Sequence, residues 1–374
     1  MKFRVSSTAL STRLSTLSKV INSKNTMQIF DCFLFEIADG KLNITASDSE
    51  NSMTSSIVLD ECDGDGKFAV VASTILNAVR ELPEQPLAFD VAMETFSIQV
   101  VYQNGMFNFT GQNADEYPQP QVISGESTTL TMDSSVLLNN INRSVFATAQ
   151  ETLRPVMNGI YFDLTNEWLA FVASDGHKLV RNRNYTIKSE TPASFILPRK
   201  PALLLKNVLS KDGGDVVITF NYNTAVISFA DGTLICRLIE GRYPNYNSVI
   251  PQDNPNKVTI DRRSMISAVR HVLPFASDSS ELIRLQFEIG KVNVSSEDID
   301  FSTSAEENIT CEYAGMPMSI GFKGSVLVEI LNNIESDEVI IELADPSRAG
   351  IIVPAEQPEN EDILMLIMPM LLND

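Results

Sequence analysis

From Lys41 the chain reads KLNITASDSENSM: apolar residues alternate with polar or small ones, an acidic turn follows, and the alternation resumes. WLAFVASDGHKLV, from Trp168, repeats the pattern, and KVNVSSEDIDFST, from Lys291, repeats it more weakly. A period of two marks a half-buried strand, so each stretch predicts a hairpin whose turn holds an aspartate. The three aspartates, Asp48, Asp175 and Asp298, are spaced by 127 and 123 residues.

A second period is superimposed on the first. Leu10, Leu14, Leu17 and Ile21 share one face of a helix. Leu137, Ile141 and Val145 follow at about the same step, and Met265, Val269 and Val272 follow again. Second helix-like runs begin at Ser73, Lys200 and Gly324, and Tyr117-Pro118 returns as Tyr243-Pro244. The spacing predicts helices over 6–21, 73–82, 133–148, 199–211, 261–276 and 323–335. Self-similarity at a fixed step is the signature of a repeat architecture. The chain is therefore an α+β protein of three copies, each reading strand, helix, several strands, then helix and several strands again. The polar linkers QVISGESTT (121–129) and IPQDNPNK (250–257) place the domains at 1–124, 125–252 and 253–374.

The formal net charge of the 374 residues is −20, which argues against indiscriminate binding to nucleic acid. The charge is partitioned, however. The six predicted helices hold 12 of the 28 Lys and Arg but 5 of the 48 Asp and Glu. Glu favours helices as strongly as Lys and Arg do, so propensity does not explain its scarcity there. Helices forming one basic surface would hold a polyanion where they meet, and the acidic exterior would repel it elsewhere. Such phosphate contacts carry no base readout.

Cys32, Cys62, Cys236 and Cys311 are far apart and lack the spacing of a zinc site. They read as reduced thiols of a cytoplasmic protein. No apolar run approaches the roughly 20 residues that cross a bilayer. The first 30 residues are basic and free of acids, as a transit peptide would be, but they carry the first copy of the repeat.

ASDGHKL, 173–179, gathers Asp175, His177 and Lys178 and suggests a catalytic cluster. Only the aspartate recurs. Copy one has Glu50 and Asn51 in place of the histidine and lysine, and copy three has Asp300 and Phe301. A turn-forming aspartate accounts for all three copies. A base with no nucleophile or second carboxylate nearby is a poor catalyst. No catalytic residue, cofactor or metal is expected, and there is no phosphate-binding G-x-x-x-x-G-K-[ST] loop. The chain closes on LIMPMLLND, which reads as a last strand whose methionines, Met368 and Met370, suit an adaptable apolar groove.

MKF at the start, SDGHKL, MNGI (157–160), GRYPNY (241–246) and MPM near the end together resemble the bacterial sliding clamp, the beta subunit of DNA polymerase III, over the whole chain. The resemblance implies three domains of the DNA-clamp fold, each with two helices packed on antiparallel sheets, and a head-to-tail homodimeric ring around duplex DNA. It implies no reaction, only the tethering of a replicative polymerase, with the clamp loader and repair proteins as further partners. Those partners would bind by short linear peptides in a pocket formed by Arg154, Met157, Ser174, Gly176, His177, Lys178, Leu179, Pro244, Val249, Leu366, Met368, Pro369 and Met370. The positions implied to face DNA are Lys24, Arg80, Arg143, Lys200, Lys206, Arg263 and Lys323. Phe107 and Phe109 in copy one, with Leu273 and Phe275 in copy three, are the implied dimer contacts. A hydrolase using Asp175 and His177, or a structural repeat protein without a nucleic-acid role, are the alternatives.

Overall fold

A computed structural model describes residues 1–25, 27–151 and 153–372. Thr26, in the loop that carries Lys24, and Asn373 and Asp374 of the tail lie outside the described residues.

Copy one contains β1 (Lys2–Ser6), α1 (Ser7–Leu17), β2 (Cys32–Ala38), β3 (Lys41–Ser47), β4 (Asn51–Val58), β5 (Glu61–Asp63), β6 (Gly66–Val71), α2 (Ala72–Arg80), β7 (Pro86–Ala92), β8 (Ser97–Tyr102) and β9 (Gly105–Thr110). Copy two contains β10 (Thr128–Asp133), α3 (Ser134–Ser144), β11 (Gly159–Leu164), β12 (Leu169–Ser174), β13 (Lys178–Asn184), β14 (Ala193–Pro198), α4 (Arg199–Val208), β15 (Asp215–Phe220), β16 (Thr224–Phe229) and β17 (Gly232–Arg237). Copy three contains β18 (Asn256–Asp261), α5 (Arg262–Val272), β19 (Leu282–Glu288), β20 (Lys291–Asp298), β21 (Thr303–Thr310), β22 (Met318–Lys323), α6 (Gly324–Asn332), β23 (Glu338–Leu343), β24 (Gly350–Pro354) and β25 (Glu361–Ile367).

All six helices form where the apolar spacing puts them and are shorter than predicted, although α2 begins one residue early, at Ala72. The predicted extensions of α3 and α5 are short 3-10 turns at 145–147 and 273–275, and Ile21 falls beyond α1. Caps fix the starts. The Ser6 side chain accepts the Ala9 amide at 3.1 Å, and Asp261 accepts the Ser264 amide at 2.7 Å. Leu10, Leu14 and Leu17 of α1 are fully buried, as are Met265 and Val269 of α5.

The chain packs as two compact units, and neither is a copy of the repeat. Unit 1 is Met1–Leu138 with Lys200–Leu238, and unit 2 is Asn139–Arg199 with Ile239–Asp374. Unit 1 has a five-stranded sheet, β5-β1-β7-β8-β9, and an eight-stranded one, β10-β15-β16-β17-β4-β3-β2-β6. Unit 2 has an eight-stranded sheet, β14-β11-β12-β13-β25-β24-β23-β18, and a four-stranded one, β21-β20-β19-β22. Each eight-stranded sheet takes four strands from one copy and four from the next. The seams are alike. In unit 1, β4 runs antiparallel to β17, with Asn51 opposite Cys236 and Ser55 opposite Gly232. In unit 2, β13 runs antiparallel to β25, with Lys178 opposite Ile367 and Asn184 opposite Glu361. The sheet edges at β9 and β21 have no strand neighbour among the described residues.

Candidate partner-binding site

The Asp175 turn is built locally. Asp175 Oδ1 accepts the amides of His177 and Lys178, both at 2.9 Å. Ser174 Oγ donates to the Lys178 carbonyl at 2.8 Å and accepts the Gly176 amide. Gly176 lies at φ +92°, a left-handed conformation that favours glycine. A Cβ there would stand 3.0 Å from Arg154 Nη1. Gly176 and His177 are thereby left exposed at the tip.

The tail runs beside this tip. Leu179 is opposite Leu366 in the β13–β25 ladder, and the Met368 amide donates to the His177 carbonyl at 2.9 Å. Leu179 and Leu366 are buried in an apolar cluster with Val172, Tyr243, Tyr246 and Ile250. Tyr243 stacks on Tyr161, centroids 4.7 Å apart, and the Tyr246 hydroxyl donates to Asp163 at 2.8 Å. These anchors hold the 241–250 loop against the sheet and leave Pro244 and Val249 exposed. Met157 is buried, with its sulfur 4.0 Å from Arg154 Nη1. Met368 is exposed, Pro369 and Met370 are half-buried, and the Met370 amide donates to the Gly321 carbonyl at 2.8 Å. The arrangement is an apolar floor rimmed by one imidazole, one guanidinium and exposed methionine and valine side chains. It can hold an extended peptide with apolar anchors. It offers no activated nucleophile. A separate open concavity of about 860 Å³ on the β19–β21 face is lined mainly by hydroxyl, amide and acidic side chains, Ser295, Gln286, Asn293 and Glu306 among them.

Lys178 is not part of the groove wall. It is 8% exposed, and its ammonium lies 2.8 Å from Asp175 Oδ2 and 3.1 Å from Glu329 on α6. Burial opposes the charge on Asp175, but the Lys178 ammonium and two backbone amides outweigh it and hold the carboxyl below its usual range. Burial likewise opposes the charge on Lys178, and the two carboxylates outweigh it and raise the ammonium above its usual value. The face assignment was readable: Lys178 shares its side of β13 with Val180, whereas Leu179 and Arg181 share the other. Glu329, its partner across the sequence, gave no local signal.

Two of the cations expected to face DNA are committed elsewhere. Arg143 is buried, with its guanidinium on Glu361 at 2.7 Å and Glu335 at 3.2 Å. Lys200 directs its ammonium at Asp48 Oδ2, the Val20 carbonyl and Asn22 Oδ1, all at 2.6–2.7 Å. An ammonium has three donors, so none remains for a phosphate. Lys24, Arg80, Lys206, Arg263 and Lys323 are exposed. Arg263 has only a loose contact to Asp337 at 3.8 Å, and Lys323 one to Glu281 at 3.5 Å. Phe107, Phe109 and Leu273 are half-buried and Phe275 is exposed.

Profiles of the DNA polymerase III beta subunit match in order along the chain: the N-terminal domain over residues 1–121, the central domain over 131–245 and the C-terminal domain over 247–371. The chain belongs to this family. The beta sliding clamp of Pseudomonas aeruginosa is 26% identical over 371 residues, 99% of this chain and 100% of that one. The Bacillus subtilis beta sliding clamp is 24% identical over 384 residues, 99% of each chain. Among solved structures, the P. aeruginosa sliding clamp bound to griselimycin superposes with a TM-score of 0.93 at 25% identity, covering all of both chains. The DNA polymerase III beta subunit of Thermotoga maritima does so at 0.89 and 25%, again over all of both chains. The function is that of a sliding clamp, a processivity factor and not a catalyst.

Proposed function

We propose that two chains close head to tail into a ring around duplex DNA, and that the Asp175 turn with the tail holds the peptides of the polymerase, loader and repair partners. The observation that carries the ring is the repeated seam. Twice within the chain, the strand after the aspartate turn of one copy pairs with the last strand of the next. The strand after the third turn, β21, and the last strand of copy one, β9, are the counterparts that pair with no strand across such a seam among the described residues. A heterologous contact of this kind closes a ring when its rotation allows. Carrying the unit 1 register over puts Ala305 of one chain opposite Phe107 of another, where Met53 stands opposite Leu234. Leu273 and Phe275 flank that seam.

The repeating blocks of the ring are 1–124, 125–252 and 253–374. Lys24, Arg80, Lys206, Arg263 and Lys323 are the cations available to phosphates, without base readout. The groove residues are Arg154, Met157, Ser174, Gly176, His177, Leu179, Pro244, Val249, Leu366, Met368, Pro369 and Met370. The setting is cytoplasmic. Burial, with Asp31 adding, pushes Cys32 up to about 11, and burial pushes Cys236 up to about 12, so both are unreactive core thiols. No helix among the described residues is long and apolar enough to cross a membrane.

One experiment tests ring, register and encirclement together. Phe107→Cys and Ala305→Cys are introduced with Cys62→Ser, and the protein is loaded on nicked circular DNA by its loader and ATP, then oxidised. The expected product is a cross-linked dimer that stays on the circle in denaturing detergent and leaves once the circle is cut. A dimer released equally from circular and cut DNA would overturn encirclement. Absence of the cross-link in a chain that does dimerise would overturn the register. For the groove, His177→Ala should lower affinity for a partner peptide about tenfold with the unfolding midpoint unchanged, and unchanged affinity would remove His177 from the site.

A further inference from the structure

The tail leaves the eight-stranded sheet of unit 2 and crosses to the four-stranded one. Its first anchor is the tip of the Asp175 turn, where the Met368 amide donates to the His177 carbonyl at 2.9 Å. Its second is β22, an edge strand of the smaller sheet. There the Met370 amide donates to the Gly321 carbonyl at 2.8 Å, in an isolated antiparallel bridge. Pro369, between the two, has no amide hydrogen to satisfy. Met368, Pro369 and Met370 are therefore held at both ends.

The second anchor needs a glycine, for space and not for conformation. Gly321 has no positive φ. A Cβ on it would stand 2.7 Å from the Met370 carbonyl oxygen, a backbone atom that cannot swing aside as a side chain would. The same Cβ would stand 2.9 Å from a methyl of Leu282, on β19, and 2.9 Å from a methyl of Leu372. Both leucines thus close over the bare backbone of Gly321, and Leu372 fastens the tail just beyond the bridge. Leu371, between bridge and clasp, is 84% exposed, whereas Leu372 is half-buried. That is the alternation of an extended chain with one side on a sheet.

We propose that Leu372, clasped with Leu282 over Gly321, is a positioning residue for the partner groove. It holds the Met368–Met370 rim in its binding shape before a partner arrives, and its own side chain does not meet the partner. Terminal segments fray unless they are tied down. A frayed rim would hold the binding shape for a fraction of the time, and apparent affinity would fall by that fraction. The loss then appears in association: a partner waits for the rim, and once bound it leaves at the same rate. The inference rests on the groove reading above.

The test follows the cognate replicative polymerase binding to the immobilised clamp by surface plasmon resonance. Leu372→Ala, Leu282→Ala and their double variant are compared with wild type. Leu372→Met is the conservative variant, Leu371→Ala the control, and His177→Ala reports on the groove itself. The two clasp residues are half-buried and line part of the open concavity on the β19–β21 face, and a melt confirms that each variant folds. Leu372→Ala and Leu282→Ala are each expected to slow association about tenfold and to leave dissociation unchanged. The double variant should lose no more than either single one. Leu372→Met and Leu371→Ala should bind as wild type does. Hydrogen exchange of the Met370 amide should be faster in Leu372→Ala, because its bond to Gly321 opens more often. Wild-type association and Met370 exchange in Leu372→Ala would overturn the clasp. Faster dissociation at unchanged association would overturn it too, since that is the mark of a lost direct contact. If His177→Ala weakens binding and Leu372→Ala does not, the clasp alone fails, and if neither does, the groove reading fails with it.

Discussion

In unit 1 the Asp48 turn receives its cation from α4 of the neighbouring copy, and in unit 2 the Asp175 turn supplies its own lysine and reaches for an acid on α6. The backbone hydrogen bonds are the same: the carboxylate accepts the amides two and three residues on. So the local code fixes the turn, and the long-range partner is free to vary in sign and direction. The difference also decides what is left at the tip. At Asp48 the tip carries Ser49 and Glu50 beside a committed Lys200. At Asp175 the lysine is drawn inward, and Gly176 and His177 are left to meet a partner.

Removing the cations should separate the turns most. Lys178→Ala leaves the partly buried Asp175 carboxylate without its cation, whereas Glu329 is half-exposed and is resolvated, and a loss of about 3 kcal/mol is expected. Lys200 is a third exposed, and Lys200→Ala should cost about 1–2 kcal/mol. Urea unfolding at one fixed protein concentration measures both. Equal losses would mean that burial is not what distinguishes the turns.

Acidification should act next. The Asp48 and Asp175 carboxyls are held below their usual range, in each case by a lysine and backbone amides against the cost of burial. A depressed pKa stabilises the fold above the ordinary carboxyl value of about 4 and loses that contribution as pH falls through the folded value. Lys178 has the opposite sign: its contribution is complete below the ordinary ammonium pKa and fades as pH rises through the raised one. Asp175→Asn should therefore flatten the decline of the unfolding midpoint below about pH 4. A decline as steep as wild type would show that this carboxylate is not among its causes.

The smallest effect is at the tip itself. Gly176→Ala forces an alanine to φ +92° and should cost about 1 kcal/mol; Arg154, the nearest group, is the end of a flexible side chain and can move. Ser49, at the same place in the other turn, has no positive φ, and Ser49→Ala should change stability negligibly. Similar costs at the two positions would mean that the turns differ less than their backbones indicate.

Much of this was legible in the sequence because it is local. The threefold step, the turn aspartates and the helix faces of Leu10 and Met265 follow from spacing, and the apolar run from Ile363 signals a last strand, which spans Glu361–Ile367 and so starts two residues earlier and stops short of Leu372. The compact units were not legible. They depend on β4 pairing with β17 and β13 with β25, and nothing in an alternating pattern says which edge a strand will choose. The charge count stopped short for a related reason. It found the basic helices, but Arg143 and Lys200 have acceptors far along the chain, on Glu361 and Asp48, and residue type alone does not separate a structural cation from a free one.

The shared sheets also dictate an order of events during synthesis. The sheet of unit 1 cannot be finished until β15–β17 have left the ribosome, and that of unit 2 waits for β23–β25. Copy two is divided between them. Its late strands complete work begun by copy one, while β11–β14, already made, hold out the bare edge of β13 until β25 arrives. An unpaired edge is a template for wrong partners, and long-range pairings form slowly. The edge of β4 waits for β17 about as long as that of β13 waits for β25, so copy one and the middle of the nascent chain both hold out a lasting target for a chaperone.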